Sequence, residues 1–476
     1  MIRLKFLIIF IILVTFITVF ALSSYNGKSY IYILFSITAN ILLYFGFRKN
    51  AMFFDTFIGI FLWLGFWFKT TVIIIFFENK FGENVGNFVG LGVQFDTALL
   101  ISIVAFISLI LASLIREKYI FTYPAIDIEN SSLVKFYILH RKKIIFVYVS
   151  LFLFIGLSNY YFHIYQKGGM SSENISFVVS GVYKWLLLFG LSSFAALILK
   201  YEFSIQKKAI YFVPMLVLIE LAITNISLLS RGMLLNGSAL GLGIMRLSWI
   251  SKYKISIQYW VVIICMMIFI FIISISVANK LREFSFSKVT TTQTISGTIS
   301  SLDINKNIVS IPHLFVVRSV GMEGVLAIST QNNLGWTMFK KALSEKYDEN
   351  KTSFYDKLVN SVYKNSKEKN HHIVSMPGFV AFFYYPGSYI FLFIALFLIG
   401  IVASVIEVLA YKLGKNNQIL SALIAQVIAY RLIHFGYVPA QSYLLFGTII
   451  LNLLMVYGFD KILYLWYKNK EKNVGT

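Results

Sequence analysis

Apolar runs nearly free of charge recur along almost the whole chain, and each is about 17–25 residues long, enough to cross a hydrocarbon core as a helix. They fall at 4–22, 29–47, 53–77, 97–115, 144–163, 181–199, 209–229, 233–250, 256–278, 388–411, 417–434 and 440–458. This pattern predicts an all-α, polytopic membrane protein of about 12 transmembrane helices with one large extracytoplasmic loop. One long segment, 279–387, breaks the pattern, dividing membrane helices at 1–278 from those at 388–460, with a tail at 461–476. These parts are read as functionally one domain. Within the loop, Lys280–Ile299 is polar and β-branched without helical periodicity and predicts extended or irregular chain. Ile308–Ser329 is apolar around one arginine and one glutamate, which predicts a re-entrant or interfacial helix. From Trp336 to Ser366 the apolar positions repeat at helical spacing, predicting two amphipathic helices on the outer membrane face. A charged connector from Arg116 to Lys143 is expected to hold a short interfacial helix at Ser132–His140.

Composition agrees with this reading: 58% of residues are hydrophobic and 13% charged. The formal charge of +21 would suggest nucleic acid in a soluble protein, but its distribution argues otherwise. Alternate short loops hold Arg3 and Lys5, Arg48 and Lys49, six basic residues between Arg116 and Lys143, Lys200 with Lys207 and Lys208, Arg246 with Lys252 and Lys254, Lys412 and Lys415, and Lys461 with Lys468, Lys470 and Lys472. The opposite loops hold only Lys28, Lys80, Lys167, Lys184, Arg231 and Arg431. A 22-to-6 split of this kind predicts both termini in the cytoplasm and the long loop outside, so no nucleic-acid partner is needed. The N-terminal run lacks a small-residue cleavage site and reads as an uncleaved first helix. The one cysteine, Cys265, lies in an apolar run, which excludes a disulfide and a Cys-based metal site. No glycine-rich phosphate loop accompanies a strand and helix, and no internal repeat is evident.

The candidate chemistry is carried mostly by arginines. Arg231, in LLSRGMLLNG at the outer end of the seventh span, runs against the positive-inside bias, and its planar fork suits phosphate oxygens. Headgroup snorkelling is the bland alternative. Arg318 stands alone in LFVVRSVGMEGVLA and must pair or face a polar cavity; Glu323 is a candidate partner, although five residues is a poor spacing for one helix face. Arg282, just past the ninth span, reads as a membrane-edge anchor or a weaker ligand for the same substrate. Arg431 and His434 share a helix face near the outer end of the eleventh span. His371 and His372 precede IVSMPGFVAFFYYPGS; adjacent histidines are a poor metal pair, but one could act as a general base, as could Glu323. Glu220 and Lys69 fall within spans, where ionisable groups are costly, and a structural Lys–Glu pair would explain both.

Several of these residues resemble those of the bacterial O-antigen (oligosaccharide repeat unit) polymerases, which are related to the O-antigen ligases. They are Ser230–Gly232 at the outer end of a mid-chain span, Arg318 in a large late loop, and the run His372, Pro377, Gly378 leading to the aromatic Phe382, Phe383, Tyr384, Tyr385 and Gly387. Gly65–Lys69, GFWFK, is similar as well. A double histidine replaces the His-Asn typical of ligase loops. The resemblance implies a GT-C-like glycosyltransferase of the bacterial inner membrane. It would need neither metal nor cofactor, and would move a glycan from polyprenyl diphosphate onto the next lipid-linked repeat. It also implies a lipid bilayer, a chain-length regulator and a flippase as partners. Its site would comprise His371, His372 and Glu323 for proton transfer, with Arg231, Arg318, Arg431, His434 and Arg282 for the diphosphate and glycan. An O-antigen ligase and, from another class, a lipid-linked oligosaccharide flippase are the rival readings.

Overall fold

The computed structural model of the chain describes residues 2–77, 81, 85–124, 132–167, 175–205, 211–230, 234–250, 257–287, 320–348, 351–361 and 374–474. Among the described residues every regular element is a helix. Where described, all twelve apolar stretches fall on helices, and among the described residues eight helices are long and apolar enough to cross a membrane. This is the architecture of a polytopic membrane protein.

The chain forms two compact units. Unit 1 comprises Met1–Tyr123, Ile311–Ile406 and Ile428–Tyr443. It opens with α1 (Ile2–Leu22), α2 (Ser29–Phe47), α3 (Phe53–Phe76) and α4 (Gly92–Tyr119). Helix α2 packs along both α3 and α4. Its two ends are pinned by carboxylates. At one end Asp96 accepts hydrogen bonds from Tyr25 at 2.8 Å and from the Lys28 backbone N–H at 3.0 Å. At the other, Asp55 accepts from Ser113 at 2.6 Å and from Arg116 at 2.5 Å, and Arg48 pairs with Glu117 at 2.9 Å. These contacts satisfy backbone and charge at helix ends that lipid could not.

Unit 2 comprises Pro124–Ser310, Glu407–Val427 and Leu444–Thr476. Its helices include α5 (Ser132–Phe162), α6 (Phe177–Trp185, a widened turn at Leu186–Gly190, then Leu191–Ile205), α7 (Phe212–Ser227), α8 (Leu234–Ile250) and α9 (Ile257–Ser287). Helix α7 is central, touched by α5, α6, α8 and α9. The short helix expected at Ser132–His140 is the first part of α5, which kinks at His140 (φ −115°, ψ 19°) before the span proper. Basic residues counted as topology signals also bind here: Arg141 with Tyr137 on Glu202, and Lys415 with Asp460 at 2.9 Å. Helix α9 continues through Arg282 to Ser287, so the segment after Asn279 begins as helix rather than irregular chain. Its apolar face, with Ile275, Ala278 and Leu281 buried, carries the helix past the end of the apolar run.

The loop helices belong to unit 1 and are α10 (Met322–Ser329), α11 (Trp336–Leu343), α12 (Phe354–Leu358) and α13 (Gly378–Phe383). The chain closes with α14 (Tyr389–Leu413), α15 (Gln418–Ile433), a 3₁₀ turn at Pro439–Gln441, and α16 (Ser442–Val474). The stretch expected to be re-entrant or interfacial is buried where described: every residue from Met322 to Ile328 is inside unit 1, against α4 and α13. Helices α11 and α12 fill two of the expected amphipathic positions, α11 burying Met338 and Ala342 while Lys340 and Lys341 face out.

Candidate functional site

The site is organised around the way α10 enters unit 1. Helix α3 widens into a π-helical stretch at Trp63–Phe68, a distortion frequent at functional sites. The widened turn is held by its indoles: Trp63 donates to Asn40 and Trp67 to Ser36, each at 2.9 Å. Immediately after it stand Lys69, Thr70 and Thr71, all buried. Thr71 is satisfied by Tyr32 at 2.7 Å and by the Trp67 carbonyl at 2.6 Å, whereas the Thr70 hydroxyl has no partner among the described residues.

Lys69 forms a salt bridge with Glu323 of α10. Lys69 is 1% exposed and Glu323 5% exposed, so neither charge could stand alone without a penalty of several kcal/mol. The pairing corrects one expectation: Lys69 is matched with Glu323, not with Glu220. Arg318, the candidate partner of Glu323, lies outside the described residues.

Close backbone packing makes the pairing possible. A Cβ on Gly65, in the widened turn, would run into the Val320 carbonyl just before α10. A Cβ on Gly324 would run into the Pro377 carbonyl, so α10 lies directly on the Pro377–Gly378 turn. Gly378 takes φ +79°, in the left-handed region. Its N–H donates to the Phe435 carbonyl at 3.0 Å, and a Cβ there would stand 3.1 Å from the Ile433 carbonyl and 3.6 Å from Val320. Glycines thus let the loop helix, the Pro-Gly turn and the end of α15 meet in one corner of unit 1.

Arg431 and His434 lie at this end of α15. His434 stacks on Tyr430, with ring centroids 4.2 Å apart, and its Nδ1 lies 3.0 Å from the Tyr430 carbonyl. Tyr430 in turn meets Phe61 of α3 edge-on at 6.3 Å. Arg431 is half-buried, and no carboxylate or other hydrogen-bond acceptor holds its guanidinium among the described residues. A partly desolvated guanidinium with five free donors is a receptor for an anion, best for one with planar or tetrahedral oxygens.

Of the other expected site residues, Arg231, Arg318, His371 and His372 lie outside the described residues. Arg282 lies in the last turns of α9, in unit 2, and its side chain is likewise outside them. The structure thus packs the helix of Glu323 on the Pro377–Gly378 turn, packs that turn on the end of α15 near Arg431 and His434, and adds Lys69 as the partner of Glu323. Glu220 sits apart on α7 of unit 2, fully buried, with Thr224 donating to Oε1 at 3.0 Å and nothing bonded to Oε2 among the described residues. No cluster of His, Cys, Asp and Glu among the described residues could hold a metal ion. No family model, curated protein or solved structure matches the chain.

Proposed function

We propose that this protein polymerises polyprenyl-diphosphate-linked oligosaccharide repeat units into a surface polysaccharide, on the extracytoplasmic side of a bacterial inner membrane. In this reading all twelve apolar helices span, in a GT-C-like arrangement with both termini in the cytoplasm. The observation that carries it is Arg431: a half-buried cation without a counter-charge among the described residues, near the end of the helix against which the Pro377–Gly378 turn packs. Outside the cytoplasm no nucleotide sugar is at hand, so the donor must arrive already activated, and a lipid diphosphate is.

The chemistry follows from charge. A hydroxyl of the acceptor repeat attacks the anomeric carbon of the donor glycan, and the bond to the diphosphate oxygen breaks. The diphosphate leaves with the electron pair and gains negative charge as it does so. Arg431 binds that charge, as do Arg231 and Arg318 in this reading, and a donor aimed at developing charge lowers the barrier. Lys69 and Glu323 hold α10 and the Pro377–Gly378 turn in place. His371 or His372 takes the acceptor proton.

The test is the glycan made by a deletion strain. Accumulation of single lipid-linked repeats supports a polymerase. Accumulation of full-length polymer on the polyprenyl carrier supports a ligase instead. One observation favours a transporter: Glu220, a buried carboxyl with an unused oxygen on the central helix of unit 2, is the kind of group that carries protons in transporters. Loss of lipid-linked repeats from the outer leaflet in the deletion strain would favour that reading.

A further inference from the structure

Outside the corner just described, the loop side of unit 1 holds two polar atoms that nothing satisfies. Glu345, just after α11, turns Oε1 to the Phe354 backbone N–H at the start of α12, which donates at 2.5 Å. Its Oε2 is shielded from solvent and has no hydrogen-bond partner among the described residues. The phenol of Tyr385, fully buried, is also without a partner among them. The Tyr385 ring is fixed by Phe382 at 5.3 Å and Phe354 at 6.0 Å, and its carbonyl accepts from Gly335 at 2.9 Å, so it has little freedom to turn away. Phe354 joins the two: its N–H is on Glu345 and its ring meets that of Tyr385. An unsatisfied buried polar atom costs roughly 1–3 kcal/mol, so two on one residue's flanks mark a place where a polar group belongs.

The chemistry of the pair specifies that group. A carboxylate only accepts, and a buried phenol is free to donate. An alcohol hydroxyl fits between them, giving its proton to Oε2 and accepting from Tyr385. The surroundings are aromatic: Tyr437 faces Tyr347 at 6.4 Å, and Tyr347, Leu343 and Trp336 stay exposed along the α11 segment. Exposed flat apolar faces beside a hydroxyl-binding pair suit a sugar ring.

We propose that Glu345 and Tyr385 form a carbohydrate subsite, in which Glu345 Oε2 accepts from a ring hydroxyl, Tyr385 donates to it, and Tyr347 and Tyr437 pack on the ring. The inference deepens the polymerase reading, since it names where a sugar of a repeat unit sits, and it rests on that reading only for which glycan is bound. The charged groups around the pair are Asp356 and Lys357 of α12, Asp348, and the lysines of the α11 segment, Lys340, Lys341 and Lys346. Burial raises the Glu345 carboxyl above its ordinary value; the Phe354 and Val438 N–H groups oppose the rise and Asp356 adds to it. Above that raised value the carboxylate accepts from a hydroxyl most strongly.

Saturation-transfer NMR on the full-length protein in lipid nanodiscs, with a panel of methyl hexosides as probes, tests the subsite. At least one methyl hexoside should receive saturation from the wild-type protein. Its binding should weaken at least tenfold in Glu345→Gln and in Tyr385→Phe. Both substitutions keep shape, and Gln can still accept from Phe354. A thermal melt within about 3 °C of wild type checks that both variants fold. Transfer to no hexoside, or equal transfer to both folded variants, overturns the proposal and leaves a buried water only as the occupant of the gap. Polymer length in cells is not the readout. A failed polymerase reading with intact transfer leaves the subsite standing, and absent transfer with intact polymer overturns the subsite alone.

Discussion

Arg116 and Arg431 lie at the ends of two apolar helices of the same unit, and their surroundings differ in one decisive way. Arg116 is fully buried and counter-charged: Asp55 at 2.5 Å, the Asn50 carbonyl at 3.0 Å and the Phe121 carbonyl at 3.1 Å accept from its two terminal nitrogens, and Nε alone has no partner among the described residues. Arg431 is half-buried with its donors unused among the described residues. A cation that has found its acceptors inside the protein locks helices together. One that has not is held ready for an anion from outside. The same contrast separates Asp96, whose two oxygens both accept hydrogen bonds, from Glu345, which uses only one.

The largest effect should come from breaking the counter-charged site. Arg116→Ala leaves Asp55 buried and uncompensated and is expected to cost about 3–5 kcal/mol, visible as loss of monodisperse protein on detergent extraction. If Arg116→Ala melts like wild type, the paired arginine is not a lock and the comparison fails.

Arg431→Ala should do the opposite: protein level and melting point stay near wild type, while the rate of glycan transfer falls by about a hundredfold to a thousandfold, or roughly 2.7–4 kcal/mol. Arg431→Lys should restore only part of the rate, because a point charge lacks the bidentate fork. Destabilisation of Arg431→Ala comparable to that of Arg116→Ala would show that Arg431 is structural too.

A smaller effect on stability is expected when the Lys69–Glu323 pair is removed as a whole. Lys69→Met combined with Glu323→Leu takes out both charges, and the double variant should lie within about 1.5 kcal/mol of wild type, whereas either single change strands a buried charge. A double-mutant cycle measures the difference. Singles as mild as the double would mean that the two groups are not coupled.

The smallest effect is a pH dependence at Glu345. Its folded-state value is raised by burial, so the neutral carboxyl contributes stability below the ordinary carboxylate range, and that contribution is lost as pH rises through the raised value. Glu345→Gln lacks this loss. The stability of Glu345→Gln relative to wild type should therefore climb as pH rises across that window, by under about 1 kcal/mol for a half-buried group. A flat difference across the window would remove the argument that burial perturbs this carboxyl.

Much of the helical layout was legible because lipid solvent imposes a simple rule: long apolar runs, charges at their ends. The burial of Met322–Ile328 inside unit 1 was not legible, because its apolar character fits a re-entrant or interfacial helix equally well. The partner of Lys69 was not legible. Glu323 lies far away in sequence, and the pair forms only because Gly65 and Gly324 let backbones close to a distance that composition cannot express. The widened turn at Trp63–Phe68 carries no signal that tells it from ordinary helix. Glu345 stands in a run, SEKYDEN, that reads as a solvated surface, and its Phe354 partner comes from the start of the next helix.

The central claim, elongation of a lipid-linked glycan, is tested most directly with purified protein in liposomes containing single lipid-linked repeat units extracted from the deletion strain. The account predicts a ladder of lipid-linked products differing by one repeat, formed without any added nucleotide sugar and lost with Arg431→Ala. Single repeats that remain single, or that only cross the bilayer, would contradict it.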